Sequence, residues 1–190
     1  MTDTVTVAGS VLTVSNHRTY AAGSTIVVAE AGTILGYPLP PKSVVHMDPT
    51  GAVVEAELKA AVKIGVIGLK KGATIAKERG EYIARGMLAA KVVHAGLTLA
   101  GGDPVRVRAD GTIATAFPSK ATKFGGETYP ESTEFRWTGS TWSAVAEDTT
   151  WVPPADEPEE DGDDEDVAVD EDLDDEEDDD AADEDADDEE

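Results

Sequence analysis

The sequence predicts a mainly β protein. Residues 1–150 read as a compact body of short antiparallel strands and hairpins with at most one or two helices, and residues 151–190 as a disordered acidic tail. Three observations carry this. Apolar and polar residues alternate with period two in stretches rich in Val, Ile and Thr. Two stretches have the turn chemistry of hairpins. The charge is also partitioned sharply. The formal net charge is −25, but residues 1–150 hold all 15 Lys and Arg against 14 acidic residues, and 151–190 hold the other 26 acids and no base. The body is therefore nearly neutral, and the low pI belongs to the tail.

Taken in order, TVTVAGSVLTVS (4–15) reads as two short strands or one bulged strand broken at Gly9-Ser10, and Asn16-His17-Arg18 as a turn. TIVVAE (25–30) and Thr33-Ile34-Leu35 are strands. Tyr37-Pro38-Leu39-Pro40-Pro41 suggests an extended surface arm, because proline donates nothing to a ladder. Ser43–Met47 is a strand closed by the turn signal Asp48-Pro49-Thr50-Gly51. Residues 52–69 are ambiguous by period, with a strand at 61–67 favoured before a turn at Lys70-Lys71-Gly72. Residues 74–95 form the best helix candidate: Ala76, Ile83, Met87 and Ala90 recur at helical spacing, Thr74 is a cap and Gly96 a stop. With a helix here the fold is α+β. The alternative is strands with turns at Gly80 and Gly86. Residues 97–100 return to β, and VRVRADGTIATAF (105–117) is a hairpin turning at Asp110-Gly111. EFRWTGSTWSAV (134–145) is a second hairpin, across which Trp137 and Trp142 can pair. Residues 118–133 read as loop, and no internal repeat of fixed period is evident. The tail has too few apolar residues to offset its ordering entropy.

The residues carry no recognisable catalytic, cofactor or metal-ligating set. His17, His46 and His94 lack metal spacing. There is no cysteine, no GxSxG elbow and no GxGxxG. Gly65–Gly72 lacks Walker spacing and reads as strand and turn. In the tail, Glu157, Glu159 and Asp161 before Gly162 echo a calcium loop, but Ala168 stands where a bidentate Glu is needed. The basic residues Lys59, Lys63, Lys70, Lys71, Lys77, Arg79, Arg85 and Lys91 read first as solvated faces and second as a patch for an acidic partner. The acidic tail disfavours direct nucleic-acid binding. No signal peptide or membrane-length apolar run is present, so the expectation is a soluble protein made in the cytoplasm.

GDPVRVRADGTIATA (102–116) resembles hairpins common in small tailed-bacteriophage virion proteins, including head decoration proteins, and FRWTGSTWSAV (135–145) resembles hairpins of phage structural proteins. The resemblance implies a non-enzymatic virion structural protein on the capsid surface. Its partner would be the major capsid protein lattice, and it would form a homo-oligomer, a trimer at local symmetry axes. Segments 1–20 and 36–47 would be the contacting arms. The alternative is an acidic-tail binding protein, chaperone-like or a nucleic-acid mimic, that masks basic partners.

Overall fold

The computed structural model describes residues 2–145, and every described element is β-strand or turn. The acidic segment 151–190, with its expected disorder and its calcium-like residues, lies outside the described residues.

Eleven strands form one antiparallel sheet in consecutive order: β1 (Asp3–Val7), β2 (Ser10–Tyr20), β3 (Gly23–Val28), β6 (Val44–Met47), β7 (Val53–Glu57), β10 (Thr74–Glu78), β11 (Glu81–Met87), β14 (Pro104–Val107), β15 (Ile113–Ala116), β18 (Glu134–Trp137) and β19 (Trp142–Val145). Four short hairpins are inserted between these strands. They are β4–β5 (Gly32–Ile34, Tyr37–Leu39), β8–β9 (Val62–Ile64, Ile67–Leu69), β12–β13 (Val92–His94, Leu97–Leu99) and β16–β17 (Thr122–Phe124, Glu127–Tyr129).

This arrangement is a fourfold repeat with a period of 30 residues, which corrects the sequence reading of no repeat. Val28, Leu58, Leu88 and Pro118 are equivalent, as are Leu39, Leu69, Leu99 and Tyr129, and Val45, Ile75, Val105 and Phe135. One backbone bond recurs at the base of each hairpin: Lys42 N–H to Val28 O, Gly72 to Leu58, Gly102 to Leu88 and Ser132 to Pro118, at 2.7–2.8 Å. Lys42, Gly72, Gly102 and Ser132 all take positive φ, at 68°, 87°, 101° and 64°. A second bond closes the base of three hairpins, where the N–H of Val28, Leu58 and Leu88 donates to the carbonyl of Ser43, Ala73 and Asp103. Pro118, having no N–H, cannot make it.

Direct cross-strand pairing places Ile26, Val45, Ala56, Ile75, Ala84, Val107 and Ile113 in one buried row across the sheet. The inserted hairpins cover that face. Ile34, Tyr37, Leu39, Ile64, Leu69, Leu97 and Leu99 complete the core from the hairpin side. The Tyr37 hydroxyl ties the layers together, donating to Tyr82 O at 2.6 Å with Val107 O at 3.3 Å. Gly65 and Gly111 meet backbone to backbone: a Cβ on Gly111 would lie 3.0 Å from Gly65 Cα and from Ile64 O.

The helix expected over 74–95 is instead β10, β11 and β12. Ile75 and Ala84, a direct pair across β10 and β11, point into the core, whereas the helical set includes Met87, which is 45% exposed. Arg79 and Gly80 (φ 50° and 90°) form a two-residue loop whose paired positive φ values match a type I′ turn. Gly86 is not a turn. It lies within β11, where a Cβ would come 2.8 Å from that of Ala73. The strand expected at 61–67 is a hairpin turning at Gly65-Val66. The segment at 37–41 is not a surface arm, since Tyr37 and Leu39 are buried. Asn16-His17-Arg18 lies inside β2 beside a bulge, and residues 118–133 contain a hairpin. The hairpins at 105–117 and 134–145 form as expected, with Trp137 opposite Trp142.

Burial, reinforced by the Glu81 charge, pushes the Tyr37 hydroxyl up to about 12 from its ordinary 10.0. The neutral phenol is the form the fold holds, so its contribution is complete below pH 10 and is lost as pH rises through 12. Alkaline denaturation should therefore show a loss of about 3 kcal/mol between these limits. Tyr37→Phe should lack that slope, at a cost of about 1 kcal/mol near neutral pH. Parallel slopes in urea titrations of the two proteins would contradict this role.

Candidate functional site

Two surfaces stand out. The first is the N-terminal end of the sheet. β1 pairs with β2 only as far as Val14, opposite Asp3. Beyond it, Asn16–Tyr20 pair with β3 on one side and have no ladder partner on the other among the described residues. Ser15–Tyr20 are exposed on both faces. Tyr20 and Val54, each 54% exposed, help line a shallow depression with Thr25, His46 and Met47. His46 Nδ1 lies 3.0 Å from Thr25 Oγ1. An unpaired strand edge beside exposed apolar side chains is a surface suited to meeting another chain.

The second surface is a groove of about 380 Å³ on the outer sheet face. The chain has six arginines, and five of them (Arg79, Arg85, Arg106, Arg108 and Arg136) gather in and beside it, although lysines outnumber arginines nine to six. Register explains the gathering. Arg85 is opposite Arg106, Arg106 opposite Thr115, and Thr115 opposite Arg136, so one outward row crosses β11, β14, β15 and β18. Glu78, Glu81 and Glu134 lie among the guanidinium groups. Glu78 bridges Arg85 and Arg106, the latter at 3.3 Å. Glu81 accepts from Arg108 Nε at 3.1 Å, and Glu134 from Arg136 Nε at 2.7 Å. The Arg136 hydrogen bond, with the charges of Arg136, Arg106 and Arg79, holds the Glu134 carboxyl below its usual range. Ile83, Ala114, Thr115 and the half-buried Trp137 supply apolar lining.

The histidines do not come together on one element. His17 is on the free edge and His46 on the outer face. His94 is in the third inserted hairpin, its ring 4.5 Å from Trp137 and 5.4 Å from Trp142, and its carbonyl accepts from Trp142 Nε1 at 2.8 Å. Among the described residues no cluster of three His, Asp or Glu is placed to hold a metal ion. Gly65–Gly72 is hairpin and turn. Of the basic residues in the middle third, Arg79 and Arg85 join the groove. Arg106, Arg108 and Arg136 are added by strand pairing, which linear spacing does not display. No helix among the described residues is long and apolar enough to cross a membrane. No family model, curated protein or solved structure matches the chain.

Proposed function

We propose that this chain is a non-enzymatic virion structural protein of a tailed bacteriophage, a head decoration protein made in the host cytoplasm. It binds the outer surface of the capsid lattice as a homo-oligomer, a trimer at local symmetry axes, and stabilises the shell by added contact area. The observation that carries this reading is the free edge of β2, where Ser15–Tyr20 extend past β1 beside exposed Tyr20 and Val54. Unpaired backbone groups and apolar surface at one end of a sheet suit attachment to a protein array. The hairpins at 102–116 and 135–145 supply the resemblance to phage virion proteins. Segment 1–20 stays in the proposal as a contact element; of 36–47, Tyr37, Leu39 and Val45 belong to the core, and only His46 and Met47, which line the depression beside Tyr20, stay in it.

Co-sedimentation of the full chain with phage heads tests this. Attachment should survive truncation after residue 152. It should weaken about tenfold on Tyr20→Asp, which places a charge against the apolar contact. A chain that stays monomeric and never sediments with heads overturns the proposal. Binding that instead disappears on truncation and in ~0.5 M salt identifies an acidic-tail binder of basic partners.

A further inference from the structure

The arginine groove has no part in lattice docking by the β2 edge, and its chemistry is more selective than a charged sheet face requires. The geometry points to a binding site for an acidic saccharide, a sugar chain bearing carboxylates. The proposal stands whether or not the chain decorates a capsid.

Arginine, not lysine, fills the groove, and its planar fork matches a carboxylate with two parallel hydrogen bonds. Among the described residues, the four hydrogen bonds from these guanidinium groups all leave through Nε: Arg85 to Glu78, Arg108 to both oxygens of Glu81, and Arg136 to Glu134. Arg106 also meets Glu78 through Nε, and its Nη1 is 3.9 Å from Glu134. Among the described residues the Nη1–Nη2 edges are thus largely uncommitted, while the Nε contacts fix the planes. This is a preorganised set of carboxylate receptors.

The embedded glutamates decide the ligand class. A nucleic acid or polyphosphate offers chiefly acceptors along its backbone, and Glu78, Glu81 and Glu134 would repel it. An acidic peptide meets the same repulsion and brings few side-chain donors. An acidic saccharide brings both partners: carboxylates for the Nη edges and hydroxyls that donate to the glutamates. Ile83, Ala114 and the Trp137 ring offer apolar surface to the C–H faces of sugar rings. The volume falls within the range of small-ligand clefts.

The test is calorimetric titration of the full-length chain at ~0.15 M salt. The probes are oligogalacturonate and oligomannuronate, with neutral dextran oligomers, single-stranded DNA and poly-glutamate as comparisons. Saturable binding of at least one uronate, and none of dextran, is expected. Arg106→Ala with Arg136→Ala should weaken it by about tenfold or more, the loss of charge-assisted hydrogen bonds. Glu134→Gln is the decisive variant. It removes a negative charge, so any purely electrostatic anion surface binds tighter, whereas a glutamate accepting from sugar hydroxyls predicts weaker binding. Glu81→Gln, at an exposed position, repeats the test if Glu134→Gln unfolds the sheet. No uronate binding, unchanged or tighter binding in the glutamine variants, or DNA or poly-glutamate bound as tightly as uronate overturns the proposal.

Discussion

Gly23→Ala is expected to cost at least about 4 kcal/mol and to unravel the first repeat. Gly23 opens β3 opposite Tyr20 at a φ of 136°, a conformation that L side chains rarely adopt. A Cβ there would lie 2.0 Å from the Met47 carbonyl oxygen, 3.0 Å from Met47 C and 3.1 Å from Asp48 C. All three atoms are backbone, held by the β3–β6 ladder and the turn at 48–51, so no side chain can swing aside. Gly51→Ala isolates conformational strain from steric overlap. Gly51 has a φ of 82° with nothing within 4 Å of its added Cβ, and its substitution should cost about 1 kcal/mol. Urea unfolding of the two variants gives the comparison, and a difference under about 1 kcal/mol would refute the close approach. Hydrogen exchange should place the loss in β2, β3 and β6. Because β2 carries the free edge, Gly23→Ala should also abolish sedimentation with phage heads, and Gly51→Ala should not.

The fold class and the two C-terminal hairpins are legible because their signals are local. Val105 and Val107 alternate with Arg106 and Arg108 before Asp110-Gly111, and Trp137 and Trp142 flank Thr138-Gly139-Ser140. The repeat is not legible because it preserves backbone conformation more than identity. The equivalent positions 42, 72, 102 and 132 hold Lys, Gly, Gly and Ser, all in the left-handed region. Five two-residue loops, Ala8-Gly9, Leu35-Gly36, Arg79-Gly80, Ala95-Gly96 and Gly125-Gly126, have positive φ at both residues, whereas Ala21-Ala22 and Gly65-Val66 do not. The usual markers of such turns are Asn, Asp or Gly before Gly, and of these loops only Gly125-Gly126 has one. The apparent helix at 74–95 has the same origin: Arg79-Gly80 is a turn without such a marker, so two strands look continuous. The groove is harder still to read. Its arginines are spread from 79 to 136, and only the pairing of Arg85 with Arg106 and of Thr115 with Arg106 and Arg136 brings them into one row. Sequence proximity instead groups Arg79 and Arg85 with lysines that face elsewhere.

Asp103→Ala should cost about 3–4 kcal/mol, because one buried carboxyl group ties the third repeat to the fourth. Asp103 is 2% exposed. Its Oδ2 accepts from Ala100 N–H at 2.7 Å, and its Oδ1 from Ser119 N–H at 3.0 Å and Ser119 Oγ at 2.6 Å. The equivalent residues Ser43, Ala73 and Thr133 show that the repeat itself does not require an acid here. Pro118 cannot supply the N–H that Val28, Leu58 and Leu88 each donate at the base of their hairpins, so the fourth hairpin lacks that tie. Asp103 anchors the start of this hairpin through Ser119. Removing the carboxyl group leaves three donors without this acceptor. Asp103→Asn should recover less than half of the loss, because its amide NH₂ faces donors. Stacked repeats respond mainly through their neighbours, so hydrogen exchange should rise first in β16–β18, ahead of global unfolding. A loss below about 1 kcal/mol, or one spread evenly over all four repeats, would show that the carboxyl group is not the link. The fourth repeat also carries Arg136 and Glu134. Asp103→Ala should therefore weaken uronate binding under conditions in which β1–β11 remain protected, although Asp103 lies outside the groove lining.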